Sequence, residues 1–277
     1  MPVTGSSTGY VAQVVKGRRF GAVRFDAVRH DLGQLLDGLA SADPEVRDGW
    51  AYRELREAIE SGRFDQDRQR IRQAALDHLD SVQVQARTFA PLVLTWLIDA
   101  GDRDRAAFET VARWYPAELD TRGYDEQLGW LHAVAHGADY LSRCVKANVA
   151  SGPEVLELLA ARLVGPGPAW RDQEDARVAR AAVIALTSCT RQQAAGWLGP
   201  VNAAMDDFEQ SEPTGRPPAW INNTYATCTS LYVALSEQPR DGNKNVHVDG
   251  ADIVRDALAR TISRITPWLL TPRIDRH

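Results

Sequence analysis

Asp125-Glu-Gln-Leu-Gly-Trp130-Leu-His-Ala-Val-Ala-His136-Gly-Ala-Asp139-Tyr-Leu-Ser-Arg143-Cys-Val-Lys-Ala147 separates into two faces when wound at about 3.6 residues per turn. One face carries Asp125, Leu128, His132, His136, Asp139 and Arg143. The other carries Trp130, Val134, Leu141 and Val145, with Gly137 and Ala138 small enough to admit a neighbouring helix. The spacing predicts an amphipathic helix over residues 125–147, its apolar side docked into a core.

The same three- and four-residue periodicity recurs along nearly the whole chain after Asp26. It predicts helices near 26–40, 44–61, 65–79, 82–99, 103–115, 125–147, 153–164, 173–188, 191–206, 217–237 and 250–270. Gly, Pro and Asp punctuate them, and Asp43-Pro44-Glu45 is a well-signalled start, with an N-cap acid and a first-turn proline. Pro91, inside the fourth helix, should kink it or shift its start. Strand-like alternation is confined to Gly21–Phe25 and Asn245–Val248. The chain reads as all-α. Ten or eleven helices joined by short turns suit an α-solenoid or α/α superhelical array better than a four-helix bundle. Residues 26–277 read as one domain. Residues 1–25, with Lys16, Arg18, Arg19 and Arg24 and no acid, read as a poorly ordered basic leader.

Composition narrows the function. The chain has 277 residues, 44% hydrophobic and 25% charged, which is ordinary for a globular protein. A net charge of −5 argues against nucleic acid as the main partner. No apolar run approaches the roughly 20 residues that span a bilayer, so no membrane partner is expected. Cys144, Cys189 and Cys228 are odd in number and form no C-x-x-C pair, which suits a reducing compartment and a cytoplasmic location. Cys144 points away from the histidine face and reads as a small core residue.

The site expectation rests on the polar face. His132, His136 and Asp139 fall within an arc of about 60° on an ideal helix. The plainest reading of such a stripe is a solvated surface. A divalent metal held by His132, His136 and Asp139 is a second, although His-Ala-Val-Ala-His lacks the glutamate that H-E-x-x-H metalloproteases use as base. Metal-free acid–base chemistry is a third. The fourth, and the one favoured over catalysis, is a cleft on a helical array that binds a small ligand, a peptide or a protein partner. Its residues would be Arg122, Asp125, His132, His136, Asp139 and Arg143, with Arg122 supplied by the turn Asp120-Thr-Arg-Gly-Tyr124. A metal-dependent hydrolase using the same stripe is the alternative. In that turn Gly123 is expected to supply a positive φ, and Glu174, beside Asp172 and Asp175, reads as a helix-capping acid. No P-loop or dinucleotide G-x-G-x-x-G occurs.

Arg122-Gly-Tyr124 and Gly129-Trp-Leu-His-Ala-Val-Ala-His-Gly-Ala-Asp139 with Leu141 resemble the signature of a bacterial family, the domain of unknown function 2785. Asp43-Pro-Glu-Val-Arg-Asp48, Asp175-x-Arg177 and Ser230-Leu-Tyr232 resemble flanking motifs of that family. The resemblance implies a HEAT-like all-α array and no particular reaction. Thr229 stands where the family pattern has an arginine, which would remove a positive partner if that position faces the histidines.

Overall fold

The computed structural model describes residues 30–211 and 214–270. Its helices are α1 (Leu32–Leu39), α2 (Pro44–Val46), α3 (Tyr52–Glu60), α4 (Arg68–His78), α5 (Val84–Asp99), α6 (Arg105–Ala117) and α7 (Ala133–Lys146). They continue as α8 (Gly152–Leu163), α9 (Glu174–Leu186), α10 (Arg191–Gly196), α11 (Gly199–Gln210), α12 (Ala219–Ser236) and α13 (Ala251–Ile265). Two antiparallel hairpins interrupt them: β1 (Tyr124–Asp125) with β2 (Gly129–Trp130), and β3 (Arg240–Asp241) with β4 (Lys244–Asn245). Among the described residues the protein is all-α apart from these short ladders. The expected leader and the Gly21–Phe25 alternation lie outside the described residues.

Several helices open on side-chain caps. Asp31 with Gln34, Ser151 with Glu154 and Thr190 with Gln193 build reciprocal capping boxes, and Asp43 caps a helix that opens with Pro44. Each box satisfies amides that the first turn leaves unpaired. α5 runs unbroken through Pro91, with no restart at the ring. The segment expected as one helix over 191–206 divides into α10 and α11, because Pro200 has no N–H to continue a helix and takes a first-turn position instead.

Packing follows chain order in two rows. α3, α5, α7, α9 and α12 are successive neighbours in one row, while α4, α6, α8 and α11 neighbour one another less continuously in the second. α4 packs on α5, α6 on α7, α8 on α9 and α13 on α12. One apolar core runs between them, from Leu35 and Leu55 through Leu97, Leu141 and Leu159 to Val178, Leu231 and Leu258. Removing a fully buried leucine such as Leu141 costs about 2–5 kcal/mol. Close approach also needs small residues: a Cβ on Gly137 would fall 2.2 Å from Cδ2 of Tyr115. Tyr115 sits on α6 and donates its hydroxyl hydrogen to the Val134 carbonyl.

The largest correction concerns the segment 125–147. Its helix begins only at Ala133, and the eight residues before it form the β1–β2 hairpin and its exit. Asp125 accepts the N–H groups of Gln127 and Leu128, drawing both out of any helical ladder. Gly129 (φ 71) and His132 (φ 57) are left-handed, which no α-helix accommodates. Leu131 and His132 then donate to the carbonyls of Gly123 and Arg122, closing the hairpin onto the preceding turn.

Candidate functional site

The hairpin presents His132 differently from a helix. Its ring stacks on Trp130, centroids 4.7 Å apart and planes 7° from parallel, and Trp130 is 37% exposed. Trp130 was expected in the core; the hairpin turns it outward, edge-on to Tyr124. Nδ1 of His132 lies 3.0 Å from Oε1 of Glu174, the first residue of α9. Glu174 is completely buried, so it is more than a surface cap. Burial pushes its carboxyl up, but the hydrogen bonds from His132 and from the Asp172 amide outweigh that and hold it below the usual glutamate range. Gly123 has no positive φ. It is a glycine because a Cβ there would lie 2.2 Å from Oε1 of Glu174.

His136, in the first turn of α7, sets its ring 5.7 Å from that of His132 and 5.6 Å from Phe89. Its Nδ1 is 2.8 Å from the Thr88 carbonyl on α5. Three residues on, Pro91 deprives the Arg87 carbonyl of its helical donor, while the helix continues. A carbonyl can only accept, so the His136 proton sits on Nδ1 and Nε2 keeps its lone pair. Burial lowers the pKa of His136 well below the ordinary histidine value, and His132 lowers it further. An ionised carboxylate likewise accepts, so His132 also donates from Nδ1. Both imidazoles are pinned through Nδ1, and neither Nε2 has a hydrogen-bond partner among the described residues.

The rest of the stripe is committed to ion pairs. Asp139 receives Arg177 and Arg180 from α9, with Nε of Arg177 at 3.1 Å. Arg180 also reaches Asp241 of β3 at 2.9 Å, and Lys146 pairs with the other oxygen of that carboxylate. Arg143 pairs with Asp99 at the end of α5. Arg122 is held by Asp120 and Asp125 on its own turn. Of the six expected residues, the structure brings His132 and His136 together, with Asp139 one turn along. Arg122, Asp125 and Arg143 serve the hairpin and the α5 end. A small cavity bounded by Arg72, Leu97, Asp102, Asp104 and Tyr140 includes none of the six.

The expected metal trio is not assembled, because Asp139 faces two guanidinium groups. Among the described residues no group of three or more His, Cys, Asp or Glu side chains is placed to hold a metal ion. Cys144 is buried in the core and burial pushes its thiol up to about 12, which leaves it inert as a nucleophile.

Several participants were not singled out from sequence. Arg47, completely buried on a π-helical turn (Arg47–Ala51), donates to the Leu128 carbonyl and lies over the Phe89 ring, so it anchors the hairpin from below. Arg177 and Arg180 come from α9 and Thr88 from α5. Their signal was available only in part: Arg47 and Arg177 belong to the flanking motifs quoted above. Two further motif positions meet where Ser230 donates to Asp175 at 3.1 Å. Thr229 brings no charge, and the positive partners of the stripe come from α9.

No helix among the described residues is long and apolar enough to cross a membrane. Comparison with curated proteins and with solved structures finds no match. Residues 74–233 match a family described as a protein of unknown function, DUF2785, a span that includes the hairpin, both histidines, Glu174 and both arginines of α9. The chain belongs to the DUF2785 family.

Proposed function

We propose that the protein is a HEAT-like helical array whose α7–α9 face binds a ligand at Trp130, His132 and His136, as a recognition surface and not as a catalyst. One observation carries this. Two adjacent imidazoles are fixed through Nδ1 by Glu174 and by the Thr88 carbonyl, and both Nε2 atoms stay open beside a part-exposed tryptophan. His132 is held there in a left-handed backbone conformation that costs about 1–2 kcal/mol. Strain of that kind persists where the surroundings over-determine it, commonly at binding and active sites. The successive row of α3, α5, α7, α9 and α12 supports the solenoid reading. Three unpaired, buried cysteines support a cytoplasmic location. Native mass spectrometry of the full chain, purified without a histidine tag, tests the proposal. The wild type should retain a bound mass that H132A/H136A lacks; identical spectra overturn it.

The metal-dependent hydrolytic alternative is favoured by the same pinning. Metal-bound histidines usually donate the non-ligating N–H to a carboxylate or a carbonyl, and both do so here. Any further ligands would come from substrate or water. Titration with cobalt(II) should then give a visible spectrum that disappears in H136A; no spectrum removes this alternative.

A further inference from the structure

The ion-pair chain on the α7–α9 face ends on a segment that belongs to neither helix. Asp241 lies in the β3–β4 hairpin, a two-residue ladder in which none of residues 240–245 is buried. The hairpin is rooted by Val246, packed against the core, and by buried Val248. The neighbouring hydrogen bonds, from Val246 to Pro239 and from Gln238 to Val246, are internal to the loop. Asp241 is what reaches across to the face. One carboxylate oxygen accepts from Arg180 at 2.9 Å and the other pairs with Lys146.

We infer that Asp241 occupies an anion-binding site, and that the ligand of this face presents a carboxylate or phosphate group that displaces it. The inference rests on the reading of the face as a binding surface and names the chemistry it selects. Arg177, Arg180 and Lys146 converge from two helices, with side chains 37%, 36% and 35% exposed, so solvent-borne ligands reach them. Asp139 is built into α7 and cannot leave. Asp241 can, because its hairpin is a surface excursion. Once it is gone, Arg180 keeps only Asp139, which it shares with Arg177, and Lys146 loses its ion-pair partner. A guanidinium fork is matched in shape to carboxylate and phosphate oxygens. Asp241 thus acts as a tethered stand-in for the ligand. Its two oxygens take one cation each, the arrangement a free anion would adopt. The stripe continues from Asp139 to His136, so a ligand anchored at Arg180 can extend along α7 toward the open imidazoles.

Calorimetric titration of the full chain with pyrophosphate and, separately, with glutarate tests this at fixed pH and ionic strength. D241N keeps the shape of the hairpin and removes the competing charge, so it should bind at least one probe about tenfold more tightly than wild type. Whichever probe gains more identifies phosphate or carboxylate as the group recognised. R180Q combined with D241N should lose the gain. D249N removes an equally negative, exposed residue elsewhere on the same loop and should change nothing. Equal gains in D241N and D249N, a gain that survives R180Q, or no measurable binding to D241N each overturn the inference. H132A/H136A separates it from the wider reading: unchanged probe binding in that variant, together with native mass spectra identical to wild type, defeats the histidine site and leaves the anion site standing.

Discussion

The molecule contains the same three side-chain types in the same arrangement twice. His30 stacks on Trp50, centroids 4.0 Å apart, and places Nδ1 2.6 Å from Glu54. His132 stacks on Trp130 and places Nδ1 3.0 Å from Glu174. What surrounds the carboxylates differs. Glu54 is 22% exposed, accepts the backbone N–H of His30 and is shared with Arg63 at 2.8 Å, so it clasps the chain to the start of α3. Glu174 is fully buried, has no arginine on it, and meets a histidine on strained backbone with a second imidazole alongside. Nε2 of His30, like that of His132, has no hydrogen-bond partner among the described residues. The second cluster adds a neighbouring imidazole with its own open nitrogen, beside a fully buried carboxylate and strained backbone. A residue trio does not define a site; what surrounds it does.

Removing the carboxylates separates the two most strongly. E174A strips the partner from His132 and from buried amides, and losing one member of a buried pair costs about 3–5 kcal/mol. E54A breaks a part-exposed pair worth about 1 kcal/mol or less. Urea unfolding midpoints of the two variants against wild type measure the difference. Equal losses would show that the burial of Glu174 sets nothing apart.

Acidity gives the next contrast. The folded-state pKa of His136 is depressed by burial and by its neighbours, so the unfolded chain binds the proton more readily. Stability from keeping His136 neutral is therefore full above about pH 6.5 and is lost as pH falls below that value. Glu54 and Glu174 are both held below the ordinary glutamate range despite burial, chiefly by their histidine, arginine and amide donors. Their contribution is full above about pH 4.5 and fades only as pH falls through their lowered values. Wild type should lose stability in two stages on acidification, and in H136L the stage that begins below about pH 6.5 should shrink, with His78, also lowered by burial, supplying what remains. A wild-type curve flat across that window defeats the account of His136.

Much of this was legible in the residues, for identifiable reasons. The rows of helices follow from repeated apolar spacing, as at Val178, Ala182 and Ala185 on α9, and from local caps such as Asp43-Pro44 and Ser151. Both histidines stood out for the same reason, since local spacing brings them together. The hairpin was hidden because a two-residue strand cannot show alternation. Its signals, Asp125 folding back on its own amides and Gly129 with positive φ, lay inside an otherwise helical pattern. In sequence Glu174 looks like a cap because it starts a helix, and no local rule reports a partner 42 positions away. Arg47, Arg177 and Arg180 are likewise long-range partners, placed by the packing of α3, α5, α7 and α9.

The smallest effect is the sharpest discriminator, because its sign reverses between the two histidines of the site. At position 132 the left-handed backbone penalises any side chain with a Cβ, so H132G should be more stable than H132A by about 1 kcal/mol. His136 lies in the helical backbone of α7. There glycine only adds unfolded-state entropy, and H136G should be less stable than H136A by about 0.5–1 kcal/mol. Each pair differs by one methyl group and removes the same imidazole, so the lost stacking and ion pairing cancel within the pair. Thermal unfolding of the four variants under one buffer resolves the two signs. If glycine is the worse residue at both positions, His132 carries no backbone strain, and the argument that its conformation is held for a function fails with it.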